Sequence, residues 1–276
     1  MVSTVGVVGY GAMGSIWVER LRRAGLKTIV YDDSASAKAA AEATGIECAT
    51  SATVLASACD VVCVLVRTED QVSSVSVGTD GILQGAVSGS TLILHSTVRP
   101  ATVQRISDAA AEIGVGVIDA PIIGNPTSVR AGKGAVLVGG PIELVPQSRE
   151  LLLHIVDSVV HTGPAGTAST VKLMRNLLGS CERFILREIL RLGAASGLDV
   201  VQALGVLQIL SLNQTPVLDR WDELFEQVDE SWQLRDSPSL HMFTKDIMLA
   251  TQHARGLGLE LSLLEKLSEL AKEIAP

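Results

Sequence analysis

Short apolar runs alternate with Ala-rich stretches of helical period through the first 160 or so residues. Val5 to Val8, Thr28 to Tyr31, Val61 to Val66, Thr91 to His95, Gly116 to Asp119, Ala135 to Val138 and Ser158 to His161 read as strands. Strands separated by helices predict an α/β fold: a doubly wound, mostly parallel sheet with helices on both faces. Gly25 and Gly45 stand where helices between these strands should end, because a left-handed cap is easily adopted there. The pattern changes after Thr162-Gly163-Pro164-Ala165-Gly166. From Thr167 to about Ala195 the period is helical without Pro, enough for a helix of roughly 40 Å. Helical period continues in Val200 to Leu210, Leu218 to Glu226, Leu240 to Gly256 and Leu261 to Ile274. Two domains are expected: residues 1–162 around the sheet, and residues 163–276, all-α and including the long interdomain helix.

The first strand breaks into Gly9-Tyr10-Gly11-Ala12-Met13-Gly14 and then into a helical pattern. A Gly-x-Gly-x-x-Gly in that setting is a dinucleotide fingerprint of the Rossmann type. Gly9 permits the tight turn, Gly11 leaves room for a pyrophosphate, and Gly14 lets helix and strand approach closely. The second strand ends in Asp32-Asp33, about 20 residues beyond the glycines, where a carboxylate accepts from ribose hydroxyls. Asp32 is the better candidate. A 2′-phosphate would meet two carboxylates and no Arg in Ser34-Ala35-Ser36, so the expected cofactor is NAD rather than NADP.

Composition narrows the partners. The 276 residues are 47% hydrophobic and 19% charged, with a net charge of −8, as in a folded globular chain and not a nucleic-acid binder. No apolar run is long enough to span a bilayer, and no cationic flank marks a signal peptide, so a cytoplasmic protein is expected. Cys48, Cys59, Cys63 and Cys181 lie in apolar surroundings without Cys-x-x-Cys spacing, which suits reduced, buried thiols better than ligands or disulfides. His154, His161, His241 and His253 have no carboxylate or Cys at ligand spacing, so no metal is expected. His95 ends a strand near the cofactor edge, where it can titrate, but one His in an apolar strand is more often held by structural hydrogen bonds.

Lys172 falls on the first turns of the long helix, with Asn176 one turn later on the same face. At the mouth of a cleft such a Lys can act as general acid or base and such an Asn can orient a substrate oxygen. From position alone, a Lys on a solvated helix face reads the same way.

Taken together these motifs resemble the β-hydroxyacid dehydrogenase family, which includes 3-hydroxyisobutyrate dehydrogenases and glyoxylate or succinic semialdehyde reductases. The resemblance covers nearly the whole chain. Gly9 to Gly14 is similar to the family's Gly-x-Gly-x-Met-Gly turn. His95-Ser96-Thr97-Val98-Arg99-Pro100 is similar to its Ser-Thr-Val/Ile-x-Pro stretch, which implies Thr97 as a cofactor contact and Ser96 as a substrate contact. Asp119-Ala120-Pro121, with Gly124 and Gly132, is similar to the substrate loop. Gly163 to Asn176 resembles the catalytic helix, implying Lys172 as general acid/base and Asn176 as the orienting amide. Lys245-Asp246 is similar to the C-terminal Lys-Asp motif, implying Lys245 at the cofactor and Asp246 at the substrate.

The departures from the family pattern bear on the substrate. Ile123-Gly124-Asn125 stands where the family usually has Ser-Gly-Gly, leaving backbone N–H groups and the Asn125 amide as the expected acid-binding elements. Arg175 replaces an Asn, three positions after Lys172, and either depresses the Lys172 pKa, holds a carboxylate or points to solvent. Leu65-Val66-Arg67-Thr68 replaces Met-Leu-Pro-Asn beside the cofactor, with Leu65 and Val66 still able to line it through the backbone. Trp221, Phe225 and Trp232 suggest packing or a pocket wall. The resemblance implies an NAD-dependent oxidoreductase acting on a small β-hydroxy acid or its aldehyde or keto partner, and a homodimer built on the helical domain. Two other readings stand beside it: an imine reductase on the same scaffold, and a cofactor-binding protein with little catalysis.

Overall fold

In a computed structural model of the chain, residues 2–210, 238–258 and 262–274 are described. The expected helix from Leu218 to Glu226 and the aromatic residues Trp221, Phe225 and Trp232 lie outside them. The chain divides into two compact units, Met1–Lys172 and Leu173–Pro276.

The first unit holds one nine-stranded sheet. Its strands are β1 (Thr4–Val8), β2 (Lys27–Tyr31), β3 (Glu47–Cys48), β4 (Val61–Val64), β5 (Thr91–Leu94), β6 (Gly116–Asp119), β7 (Ile122–Ile123), β8 (Ala135–Gly139) and β9 (Ser158–Gly163). Between them run α1 (Ala12–Arg23), α2 (Ala35–Glu42), α3 (Ala52–Ser57), α4 (Glu69–Val77), α5 (Pro100–Ala111), α6 (Pro126–Arg130) and α7 (Val145–Leu153). The order across the sheet is β3-β2-β1-β4-β5-β6-β8-β7, with β9 on β8. Strands β3 to β6 on that path pair parallel, as do β8 and β9; only β6/β8 and β7/β8 are antiparallel.

Alternation along the buried strands supplies both faces. Val5, Val7, Val61, Cys63, Ile93 and Ile118 enter one apolar core with Ile16, Trp17 and Leu21 of α1. Their neighbours Val8, Val62, Val64, Leu92, Leu94 and Val117 enter a second core with Leu55 of α3 and Val103 and Ile106 of α5. Because side chains of a strand point alternately to opposite faces, near-continuous apolar runs are what a sheet covered on both sides requires. The sheet reverses winding between β1 and β4, so the loops after the carboxyl ends of β1, β2, β4, β5 and β6 open on the edge where doubly wound sheets bind ligands.

All seven expected strands occur, each within two residues of its expected limits at either end. The run Val61 to Val66 leaves the ladder after Val64, and its last residues form part of the loop at the sheet edge. Two strands were not expected, β3 and β7, each of two residues and too short to show a period.

Helix α8 (Thr167–Ala195) begins in the first unit and continues into the second. The described remainder of the second unit is helical: α9 (Val200–Leu210), α10 (Pro238–Gly256) and α11 (Ser262–Ile274). Ile247, Ala250 and Ala254 of α10 pack with Leu264, Leu267 and Ala271 of α11 and with Phe184, while Leu186 and Leu190 pack with Val200 and Leu204 of α9. Among the described residues no helix is long and apolar enough to cross a membrane.

Candidate active site

The three fingerprint glycines answer to different demands. Gly9 has φ 95°, and a Cβ there would lie 2.7 Å from the Leu65 carbonyl oxygen. On Gly14 a Cβ would come within 1.9 Å of the Gly9 oxygen, so α1 can start against the turn only without a side chain. Gly11 is the opposite case: a Cβ built on it meets no protein atom within 4 Å. Nothing in the protein requires glycine at that point. The space it leaves above the N-terminus of α1 suits the pyrophosphate of a dinucleotide, with the helix dipole and N–H groups facing it. Ala12 is exposed in the first turn and Met13 packs against the core below.

At the end of β2, Asp32 is oriented by two backbone donors. Tyr10 N–H donates to Oδ2 at 2.6 Å and Ser34 N–H to Oδ1 at 2.8 Å, which ties the glycine turn to the loop after β2. Beside it opens a cavity of about 270 Å³ lined by Gly9, Asp32, Val66, Gln71, Ser74 and others. Its lining carries three carboxylates, Asp32, Asp33 and Asp80, and no Lys or Arg. Asp80, Gln71 and Ser74 were not expected at this cavity. Only Gln71 had a signal, the Thr68-x-x-Gln71 capping box that starts α4.

The loop after β4 is fixed from across the edge. Ser96 Oγ donates to the Val66 carbonyl at 2.6 Å, and Leu65 N–H donates to Val8 at 2.8 Å. Ser96 therefore spends its hydrogen on the backbone, with Thr97 half-buried next to it. His95 is buried and held at both nitrogens: Nδ1 lies 2.8 Å from the Ala120 carbonyl and Nε2 accepts from Trp17 Nε1–H at 3.2 Å. Burial pushes its pKa down to about 4, so it is neutral.

Segment 119–125 carries the start of α8 and the candidate Lys. Asp119 is fully buried; its Oδ1 accepts from Gly166 N–H at 2.8 Å and its Oδ2 from Ser169 N–H at 2.7 Å. Burial raises its pKa, while these two donors hold the charged form. A carboxylate on the first-turn N–H groups of a helix also meets the positive end of the helix dipole. Five residues into α8, Lys172 Nζ donates to the Ile122 carbonyl at 2.7 Å. Ile123 sits in β7 opposite Ala135, and Gly124 turns with φ 147°. Asn125 is the N-cap of α6: Oδ1 accepts from Ser128 N–H at 2.8 Å, and Ser128 Oγ takes the Asn125 N–H at 3.0 Å.

The remaining candidates belong to the second unit. Asn176 Nδ2 donates to Asp246 Oδ2 at 2.7 Å, and the exposed Arg175 donates to Asn176 Oδ1 at 3.3 Å. Asp246 is 3% exposed; Lys245 Nζ lies 3.2 Å from its Oδ1, an ion-pair contact without hydrogen-bond geometry. The thiols carry no reactive signature. Cys59 and Cys63 are buried and pushed up to about 12 by burial, whereas Cys48 and Cys181 are half-buried rather than buried, with pKa values also raised. Among the described residues no group of three or more His, Cys, Asp or Glu could hold a metal ion.

Residues 4–163 match the family model described as the NAD binding domain of 6-phosphogluconate dehydrogenase. The chain is 27% identical over 258 residues to a 3-hydroxyisobutyrate dehydrogenase of Pseudomonas aeruginosa, covering 93% of this chain and 87% of that protein. It is 26% identical to an NAD-dependent L-serine dehydrogenase of the same organism, covering 91% and 85%. A crystal structure of a 3-hydroxyisobutyrate dehydrogenase from Salmonella typhimurium superimposes with a TM-score of 0.82 at 25% identity, covering 98% of this chain and 93% of that one. With the glycine turn, Asp32 and the Lys172 helix in place, the chain belongs to the family of the 6-phosphogluconate dehydrogenase NAD-binding domain and is an oxidoreductase similar to the 3-hydroxyisobutyrate dehydrogenases.

Proposed function

We propose that this protein is a dehydrogenase of a small β-hydroxy acid that prefers NAD to NADP and uses Lys172 as its general acid/base. The observation that carries the reading is Lys172 Nζ held 2.7 Å from the Ile122 carbonyl, at the head of the Ile123-Gly124-Asn125 loop. Gly9, Gly11, Gly14 and Asp32 would hold NAD, with Leu65, Val66, Thr97 and Lys245 as further contacts implied by the family resemblance. Bound NAD supplies the acceptor for hydride from the carbinol carbon. Lys172, as the neutral amine, takes the hydroxyl proton at Nζ during oxidation; in reduction its ammonium returns that proton to the developing alkoxide. The Ile122 carbonyl restrains Nζ, so less freedom is lost in reaching a reactive geometry.

Asn176 orients the substrate oxygen, its own amide fixed by Asp246. The acid group is received by the backbone at Gly124 and by Asn125 Nδ2, which the cap does not use; the family resemblance implies Arg175, by its place on the catalytic helix, as a further contact. Three carboxylates around the nucleotide cavity support the NAD preference, since a 2′-phosphate would be repelled there. Exposed Met174 and Leu178 on α8 support a homodimer, which light scattering at micromolar concentration would read as twice the chain mass.

A panel of hydroxy acids headed by 3-hydroxyisobutyrate and L-serine, assayed with NAD and NADP, tests the reading. Turnover of at least one acid with kcat/KM at least about tenfold higher for NAD is expected. Equal or better use of NADP, or no turnover across the panel, would overturn it.

A further inference from the structure

His95 has both ring nitrogens satisfied, as a core histidine should, but its two partners place it in a chain of contacts that ends on Lys172. Indole Nε1–H can only donate, so the 3.2 Å contact from Trp17 makes His95 Nε2 the acceptor. The proton must then sit on Nδ1, which donates to the Ala120 carbonyl at 2.8 Å. Trp17 is itself fully buried and meets the imidazole edge to face, with centroids 4.9 Å apart, so tautomer and ring orientation are both fixed.

Ala120 is where the parallel ladder ends. Its N–H still donates to Leu94 at 2.7 Å, but its carbonyl lies beyond β6 and takes the imidazole instead of a strand neighbour. On one side of it Asp119 grips Gly166 N–H and Ser169 N–H, setting the position of the first turn of α8. On the other side the Ile122 carbonyl receives Lys172 Nζ. The backbone of Lys172 and the acceptor of its Nζ thus hang from one short segment, and the imidazole holds the carbonyl at its centre. All of these residues belong to the first unit.

We infer that His95, with its tautomer set by Trp17, is a positioning residue for the reaction: it holds segment 119–122 so that Lys172 Nζ stands where the substrate proton is exchanged. It touches neither substrate nor cofactor in this role. The inference rests on Lys172 being the general acid/base, and a displacement of about 1 Å in such a group lowers turnover by up to about a hundredfold. The pKa near 4 agrees with the role, because a proton on Nε2 would remove the acceptor that Trp17 needs.

Steady-state kinetics on the full-length protein, with NADH binding by fluorescence titration and folding by thermal melting, provide the test. His95→Phe keeps ring volume and removes both hydrogen bonds. It should lower kcat about tenfold or more, with KM and NADH affinity within about threefold of wild type. His95→Asn, whose Nδ2 can occupy the place of Nδ1, should restore kcat to within about threefold, and His95→Gln, which reaches only toward Trp17, should not. In a Lys172→Ala background the His95→Phe substitution should change residual turnover less than twofold, because the group it positions is gone. A folded His95→Phe with wild-type kcat beside an inactive Lys172→Ala would overturn the inference and leave the role of Lys172 standing. Full activity of Lys172→Ala would overturn the acid/base reading itself. Where His95→Phe does not fold, the folded pair His95→Asn and His95→Gln decides, and equal kcat values for the two would overturn the inference.

Discussion

The loops that leave β1 and β6 at the same edge of the sheet are built on different terms. The turn after β1 is made by exclusion: Gly9 and Gly14 are glycines because a Cβ would strike backbone, and Gly11 because a Cβ would fill an open space. The segment after β6 is made by side chains holding backbone: His95 on Ala120, Asp119 on the start of α8, Lys172 on Ile122 and Asn125 on Ser128. Steric requirements are written in the sequence as glycine at fixed spacing. Hydrogen-bond requirements are written as partners 25 to 50 residues apart, with the exception of the local cap at Asn125.

The largest effect that separates the two modes of construction lies within the glycine turn. Gly14→Ala should destabilise the fold by more than about 3 kcal/mol, since its Cβ meets fixed backbone rather than a mobile side chain. Gly11→Ala should leave stability within about 1 kcal/mol while weakening NADH binding about tenfold. Urea melts and NADH titrations of the two variants read the split, and a Gly11→Ala that binds NADH normally would remove the pyrophosphate from that space.

The hydrogen-bonded segment should instead carry a pH signature. His95 is held near 4 in the folded chain against 6.5 in the unfolded one, so the unfolded chain takes up the proton first as pH falls. Stability from this group is complete above pH 6.5 and is lost between 6.5 and about 4, by about 3 kcal/mol in all. Asp119, whose pKa is raised, works in the opposite sense over the carboxylate range. Urea midpoints between pH 7 and 4.5 should fall less steeply in His95→Phe than in wild type; equal slopes would contradict the buried neutral imidazole.

Smaller effects belong to the polar rims. Asp32→Asn keeps one acceptor and removes the charge, and should lower the NAD-to-NADP ratio of kcat/KM about tenfold. An unchanged ratio would shift the preference to Asp33 and Asp80, which line the same cavity. Asn125→Ala should cost about 1 kcal/mol as a lost N-cap, measured by thermal or urea unfolding.

The same contrast explains what was legible. The seven longer strands and the limits of α8 followed from apolar period, because burial on both faces leaves a pattern over four residues or more. Strands β3 and β7 leave none in two residues, and β8 reads like any other apolar run although its partners β6 and β7 are antiparallel to it. At the site, the glycines and Asp32 were visible as a spaced motif. Lys172 and Asn176 were visible only through the family resemblance, since helix position alone does not distinguish them from surface residues. The Trp17–His95–Ala120 contact joins residues 78 and 25 positions apart, and Asp80 reaches the cavity beside Asp32 from beyond α4. Neither leaves a local trace.

The most direct measurement is turnover of Lys172→Ala on the best hydroxy acid with NAD, beside its NADH affinity. A fall in kcat of at least about a hundredfold with NADH binding unchanged is the expected result for a lost general acid/base. Wild-type kcat in a folded Lys172→Ala would contradict it.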